Sequence, residues 1–257
     1  MTENRPAFAA FRHRLLARER LMGTFLKLPT TQVIEILGTI GYDFVIIDQE
    51  HAALDRSITD LMIFAARAAN IAPIVRIPEF TESFVLGALD CGAMGIMVPH
   101  VTSVEKAQAI ARSARYKGGS RGFAGLTRAG HWGSVGAVAH MAAQDSQVAV
   151  IAMIEDQQAI DLAGDIARVD GIDALFIGRG DLTASFGDDP DAGPKVAEIS
   201  RRVAAAAREA DVPLMMLPTG RADFEFATSL GATALAFSSD HGFIRSAASA
   251  VMKDYAG

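Results

Sequence analysis

Apolar residues along this chain collect into eight short runs: Met22 to Leu28, Phe44 to Ile47, Ala72 to Val75, Gly95 to Val98, Val148 to Ile154, Ala174 to Ile177, Pro213 to Leu217 and Ala234 to Phe237. Short, nearly continuous apolar runs fit strands buried on both faces, the pattern of a parallel sheet. Between them lie stretches of helical composition, at Thr31 to Ile40, Ile58 to Asn70, Val104 to Ala114, Lys195 to Ala210 and Asp223 to Leu230. Gly41, Gly92 and Gly231 follow helical stretches, where a left-handed residue commonly ends a helix.

Strands joined through helices must run parallel, and eight such units close into a barrel more readily than they form an open sheet. The predicted fold class is therefore α/β, a (β/α)8 TIM barrel. The 257 residues match the usual length of that fold and predict a single barrel domain over 1–257. A helix over about 6–20 should cover one end, because Phe8, Phe11 and Leu15 form one stripe at helical spacing. The longest interruption, Tyr116 to Gly136, is rich in glycine and carries Arg121, Arg128, His131 and the only tryptophan, Trp132. A segment so long and irregular serves as a lid, an active-site wall or a subunit contact.

Composition narrows the setting. Half the residues are apolar and 21% are charged, enough for a large core. A formal charge of −6 gives no reason to expect nucleic acid, and an anionic substrate would have to be held by local arginines. The single cysteine, Cys91, excludes an internal disulfide and reads as a packing or helix-end residue. The first twenty residues hold five arginines, but Glu3 and Glu19 argue against a transit peptide. No run is long enough to span a bilayer, so the expectation is a cytoplasmic protein without a membrane partner.

In a barrel the chemistry sits where strands end. Glu155 and Asp181 each stand just beyond an apolar run, 26 positions apart, which suits neighbouring strand ends. Two carboxylates with room for water and substrate form a site for Mg²⁺, Mn²⁺ or Co²⁺. Alternatively, each caps a following helix. Asp48 and His51 follow another run, with Glu50 between them. An imidazole oriented by an acid can act as a general base near neutral pH, or can simply satisfy loop carbonyls. Arg76 ends a further run and would face the barrel mouth, as an anion or enolate binder, as an ion-pair partner of Asp48 or Glu50, or as both.

Lys27 closes the first run and is the candidate for a Schiff base. Gly178-Arg-Gly180-Asp181 has two glycines of a dinucleotide fingerprint but Thr183 at the third, so it is no such site. Gly178 and Gly180 do let backbone amides approach a ligand carboxylate. Methionines 94, 97, 153, 215 and 216 read as core or pocket lining.

With these residues in place, the chain resembles the HpcH/HpaI aldolase family, the class II pyruvate aldolases, from about Phe8 to Met252. The resemblance rests on Gly41-Tyr-Asp-Phe-Val-Ile-Ile-Asp48-Gln-Glu-His51-Ala, Pro73-Ile-Val-Arg76, the Arg121-Gly-Phe-Ala-Gly loop, Met153-Ile-Glu155 and Gly171 through Ser185. It implies a barrel whose last helix, here about Phe243 to Tyr255, is exchanged between partners, with dimers assembled into a hexamer. It also implies that Glu155 and Asp181 hold a divalent metal, that His51 with Asp48 manages the proton, and that Arg76 binds the developing enolate oxygen. Two departures stand out: many relatives have glutamine where this chain has Met153, and proline where it has Arg179.

The implied reaction is reversible cleavage of a 4-hydroxy-2-oxo acid into pyruvate, or a close 2-oxo acid, and an aldehyde. Arg76, Gly178, Gly180, Asp181 and Leu217 would contact substrate. Arg121 or Arg128, from this chain or a neighbouring subunit, would reach the far carboxylate of a dicarboxylic substrate. A Schiff-base aldolase using Lys27, an acyl-CoA lyase and a non-catalytic 2-oxo-acid-binding protein remain as alternatives.

Overall fold

The computed structural model describes residues 6–255. Eight strands, β1 (Leu21–Leu26), β2 (Phe44–Asp48), β3 (Ala72–Arg76), β4 (Gly95–Val98), β5 (Ala149–Ile154), β6 (Ala174–Ile177), β7 (Leu214–Met216) and β8 (Ala232–Ser239), pair in chain order into a closed barrel. Every pairing is parallel, and β8 returns to β1. Each strand lies within about two residues of its predicted bounds, an ordinary boundary error.

The helices are α1 (Phe11–Leu16), α2 (Gln32–Ile40), α3 (Arg56–Ala68), α4 (Glu82–Asp90), α5 (Val104–Ser113), α6 (Ala137–Gln147), α7 (Ala163–Ala167), α8 (Arg179–Ala184), α9 (Ala192–Glu209), α10 (Arg221–Ser229) and α11 (Asp240–Tyr255). Side chains cap three of them: Asp55 accepts from the Ile58 amide, Thr81 from Phe84 and Ser103 from Lys106. Gly41, Gly92 and Gly231 all take the left-handed backbone predicted for them. The opening helix is shorter than predicted. A 3-10 turn at Phe8–Ala10 leads into α1, and the chain leaves the helix at Arg18, whose φ is 54°. Phe11 and Leu15 are buried, and the Phe11 ring lies 5.4 Å from that of Phe44, the first residue of β2. The helix therefore closes the end of the barrel where strands begin.

Strand side chains alternate between two cores. Leu21, Phe25, Phe44, Ile46, Ala72, Ile74, Met97, Ala149, Ile151, Met153, Ala174, Phe176, Met215, Ala234 and Ala236 fill the barrel. Their neighbours Val45, Ile47, Val75, Ile96, Val150, Ala152, Ile154, Leu175 and Ile177 face the helices. Extending the inward parity one step past the last interior residue of each strand except β4, where it meets Pro99, reaches Lys27, Asp48, Arg76, Glu155, Gly178, Leu217 and Ser238. Six of these seven line one cavity at that end of the barrel, and the seventh, Asp48, lies beneath it bonded to Arg76.

No helix among the described residues is long and apolar enough to cross a membrane. The last helix is anchored at its start, where Asp240 is buried and the Phe243 ring lies 6.4 Å from Tyr42. Ile244, Val251, Met252 and Tyr255 are exposed along the remainder.

Candidate active site

Asp48 is fully buried, and its position is dictated by what surrounds it. Arg76 donates through Nε to Oδ1 at 2.9 Å and through Nη2 to Oδ2 at 2.7 Å, a two-pronged pairing that strand neighbours β2 and β3 bring into register. Lys27 Nζ approaches Oδ2 at 3.3 Å, and the amides of Glu50 and His51 both donate to Oδ1 at 3.2 Å. Burial pushes this carboxyl upward, but the Arg76 hydrogen bonds and charge, with the His51 amide and Lys27, outweigh it and hold it below the ordinary range. Arg76 also reaches Glu50 at 3.1 Å, and its guanidinium lies 5.0 Å above the Phe25 ring.

This geometry changes the part expected of Asp48. Its oxygens serve Arg76, Lys27 and two backbone amides, and the acid beside the His51 imidazole is Glu50, at 3.8 Å. The turn after β2 bends the His51 amide, rather than its ring, toward Asp48. His51 itself is half exposed and lines the cavity.

Glu155 is the second buried acid. Oε1 accepts from the His100 amide at 2.9 Å, whereas Oε2 is buried without a hydrogen-bond partner. Burial first, with the charges of Asp181 and Glu50, outweighs His100 and pushes this carboxyl up to about 7. Gly178 is required beside it: a Cβ there would lie 2.3 Å from Oε2. Asp181 sits in the first turn of α8, on the rim of the same cavity, and makes no cap bond for that helix, so the capping alternative for it is removed.

Among the described residues, ligand atoms of Glu50, His100 and Glu155 fall within 4.8 Å of one another. Asp181 stands outside that group but adds its charge to the field at Glu155. His100 was not anticipated. Inward parity on β4 passes from Met97 to Pro99, and the left-handed φ of 53° at His100 breaks the alternation. Its Nδ1 lies 3.1 Å from Asp156 and its Nε2 3.7 Å from Glu50. Burial lowers its pKa, but Asp156, Glu155 and Glu50 together raise it above the ordinary histidine value. A histidine two residues past a strand obeys the same strand-end rule as Glu155 and Arg76, and that signal could have found it.

The cavity occupies about 980 Å³ and is lined by Phe25, Lys27, His51, Arg76, Met153, Glu155, Gly178, Gly180, Asp181 and Leu217, among others. Arg121 and Arg128 do not line it in this chain, which corrects the expectation that they would contact substrate from here. Arg121 is buried against Gln144, Asp90 and the Tyr116 ring, and Arg128 pairs with Asp60 on α3. Their loop lies over the outer helices, with Phe123, Leu126 and Trp132 exposed.

Residues 21–247 match the family model described as HpcH/HpaI aldolase/citrate lyase. The chain is 31% identical over 239 residues to a 5-keto-4-deoxy-D-glucarate aldolase of Enterobacter sp. (strain 638), covering 92% of this chain and 93% of that one. It is 37% identical over 209 residues to a 2-keto-3-deoxy-L-rhamnonate aldolase of Klebsiella pneumoniae, covering 78% and 77%. The crystal structure of an HpcH/HpaI aldolase/citrate lyase family protein from Burkholderia cenocepacia J2315 superposes with a TM-score of 0.90 at 30% identity, covering 97% of this chain and all of that one. A (β/α)8 barrel with acids and arginine gathered at its strand ends is thus an aldolase-type carbon–carbon lyase of class II. The chain belongs to the HpcH/HpaI aldolase/citrate lyase family.

Proposed function

We propose that this enzyme reversibly cleaves a 4-hydroxy-2-oxo acid to pyruvate, or a close 2-oxo acid, and an aldehyde, with a divalent cation held by Glu155 and Asp181. The observation that carries the reading is the buried, unpartnered Oε2 of Glu155, kept open by Gly178 and facing a cavity rimmed by Asp181. An acid so placed fits a hard cation with oxygen donors, Mg²⁺, Mn²⁺ or Co²⁺. The chemistry such a cation supplies is Lewis acidity toward the keto and carboxylate oxygens of the 2-oxo acid.

The chain's own residues carry the remaining steps. In cleavage a base takes the 4-hydroxyl proton, the C3–C4 bond breaks, its electrons form the enolate, and the aldehyde departs. Protonation at C3 then gives pyruvate. His51 is the base in this reading, with Glu50 as the acid beside its ring. Arg76, fixed by Asp48 and Glu50, places its charge next to the enolate oxygen. Amides around Gly178 and Gly180 face the substrate carboxylate, and Leu217 borders the aldehyde. The names of the two curated relatives point to hydroxylated, sugar-acid substrates.

Lys27 fits an imine-forming role less well, because its Nζ is engaged with the buried Asp48 at 3.3 Å. The test separates the two chemistries. Metal-stripped protein should lose pyruvate release from a 4-hydroxy-2-oxo acid and regain it with Mg²⁺, Mn²⁺ or Co²⁺. Inactivation by borohydride with substrate, with chelator harmless, would replace this reading with the Schiff-base one.

The exposed apolar residues of α11 support exchange of that helix with a second copy, within a hexamer built from dimers.

A further inference from the structure

Arg179 opens α8, two residues before Asp181, and its guanidinium is bonded to Asp223 and Leu217. Nη1 donates to Asp223 Oδ1 at 2.5 Å, and Nη2 donates to Asp223 Oδ2 and to the Leu217 carbonyl, each at 2.6 Å. Asp223, on α10, is bound from a second side as well: Oδ2 accepts from the Thr219 amide at 2.8 Å and from its hydroxyl at 3.1 Å. Both charged side chains are only 20% exposed. Three hydrogen bonds from Arg179 thus join the start of α8, which carries Asp181, to Leu217 and Asp223, and two more hold Thr219 to the same Asp223 carboxylate; both segments line the cavity.

We infer that Arg179 and Asp223 form a clamp that positions the aldehyde-binding wall, Leu217 to Thr219, against the start of α8, and that Arg179 does not itself bind the aldehyde's charge. Both carboxylate oxygens of Asp223 are matched to the planar guanidinium, so the arginine's charge is met within the protein. A pair of this shape fixes direction as well as distance, which a lysine at position 179 would not reproduce. Among the described residues, no other hydrogen bond or ion pair ties the Leu217–Thr219 segment to α8. The inference rests on the aldolase reading and extends it: acceptor choice is set by the shape of a wall held in place from behind.

Three readouts separate the two claims. Exchange of pyruvate's methyl protons with D₂O, followed by NMR, reports on the 2-oxo-acid half without an acceptor. Initial rates with succinic semialdehyde, a hydroxylated aldehyde and a neutral aldehyde report on the wall. Thermal unfolding reports on the fold. For Asp223→Ala, for Arg179→Ala and for the double variant, the acceptor KM should rise about tenfold for charged and uncharged aldehydes alike, with proton exchange within about twofold of wild type. The double variant should be no worse than the poorer single one, because the two residues act as a unit. Arg179→Lys should not restore the acceptor KM.

Unchanged acceptor KM in both single variants overturns the clamp. So does tighter binding of succinic semialdehyde by Asp223→Ala with weaker binding of that aldehyde alone by Arg179→Ala, since Arg179 would then be a substrate ligand. Should Asp223→Ala fail to fold, Asp223→Asn keeps the shape without the charge and is read the same way. Wild-type protein that binds metal but exchanges no pyruvate protons removes the aldolase reading, and the clamp's role with it.

Discussion

Asp48 and Arg76 face each other across neighbouring strands as a buried, two-pronged ion pair, with hydrogen bonds of 2.9 and 2.7 Å. Removing one partner strands the other charge away from water. Asp48→Ala should lower the unfolding free energy by about 3–5 kcal/mol and abolish turnover, because Arg76 loses both its charge balance and its aim. Denaturant titration measures the first effect and pyruvate release the second. A loss no larger than the about 1 kcal/mol of a surface ion pair would show that Arg76 is held by Glu50 instead.

Glu155 links cation binding to pH. With its carboxyl at about 7, a cation must displace a proton below that pH, so affinity should fall about tenfold per unit on acidification and level off above it. The metal-free protein should show the opposite trend in stability. Between the ordinary 4.5 and about 7 the folded state binds more protons than the unfolded one, so stability falls as pH rises and then levels. Mn²⁺ titrations and melting curves across that window check both trends. The stability slope should flatten in Glu155→Gln, and a slope unchanged by that substitution would assign the titration to another group.

Gly178→Ala puts a methyl group 2.3 Å from Glu155 Oε2. The added carbon also lies 2.5 Å from the Glu155 Cβ, so the whole residue must shift, and cation affinity should fall roughly 10- to 100-fold, the usual cost of disturbing a group that orients a ligand. Gly180→Ala is the control, because nothing in this chain lies within 4 Å of the added carbon. Calorimetric titration with Mn²⁺ compares them, and equal affinities would count against Glu155 as the cation's holder.

The outer surface of α11 offers a test of assembly. Replacing Val251 and Met252 with Asp should reduce the particle size seen in sedimentation velocity, since both side chains are exposed in the isolated chain. An unchanged sedimentation coefficient would remove helix exchange as the basis of the assembly.

The barrel was legible because a parallel sheet buries both faces of each strand, and runs such as Phe44 to Ile47 and Ala174 to Ile177 carry that requirement in their composition. The same parity carried Arg76 and Glu155 to one cavity and Asp48 to the place beneath it. What escaped depended on backbone turns and on side chains meeting across the fold. His100 lay hidden because one left-handed residue reverses the alternation. Pairing Asp48 with the His51 ring failed because spacing along a turn does not reveal which atom faces the acid. Arg121 and Arg128 read as substrate arginines of this chain or of a neighbouring subunit, and within this chain Asp90 and Asp60, distant in sequence, are their partners. Helix α4 was signalled only by Gly92 after its end, because the short, mostly apolar Phe84 to Leu89 shows no clear polar face.

The most direct test is anomalous diffraction at the manganese edge from crystals soaked in Mn²⁺ and pyruvate. The expected result is a single strong peak in the barrel cavity within coordination distance of carboxylate oxygens from both Glu155 and Asp181, with pyruvate on its open side. An empty cavity, or a peak held by Glu50, His100 and Glu155 with Asp181 out of reach, would contradict the assignment.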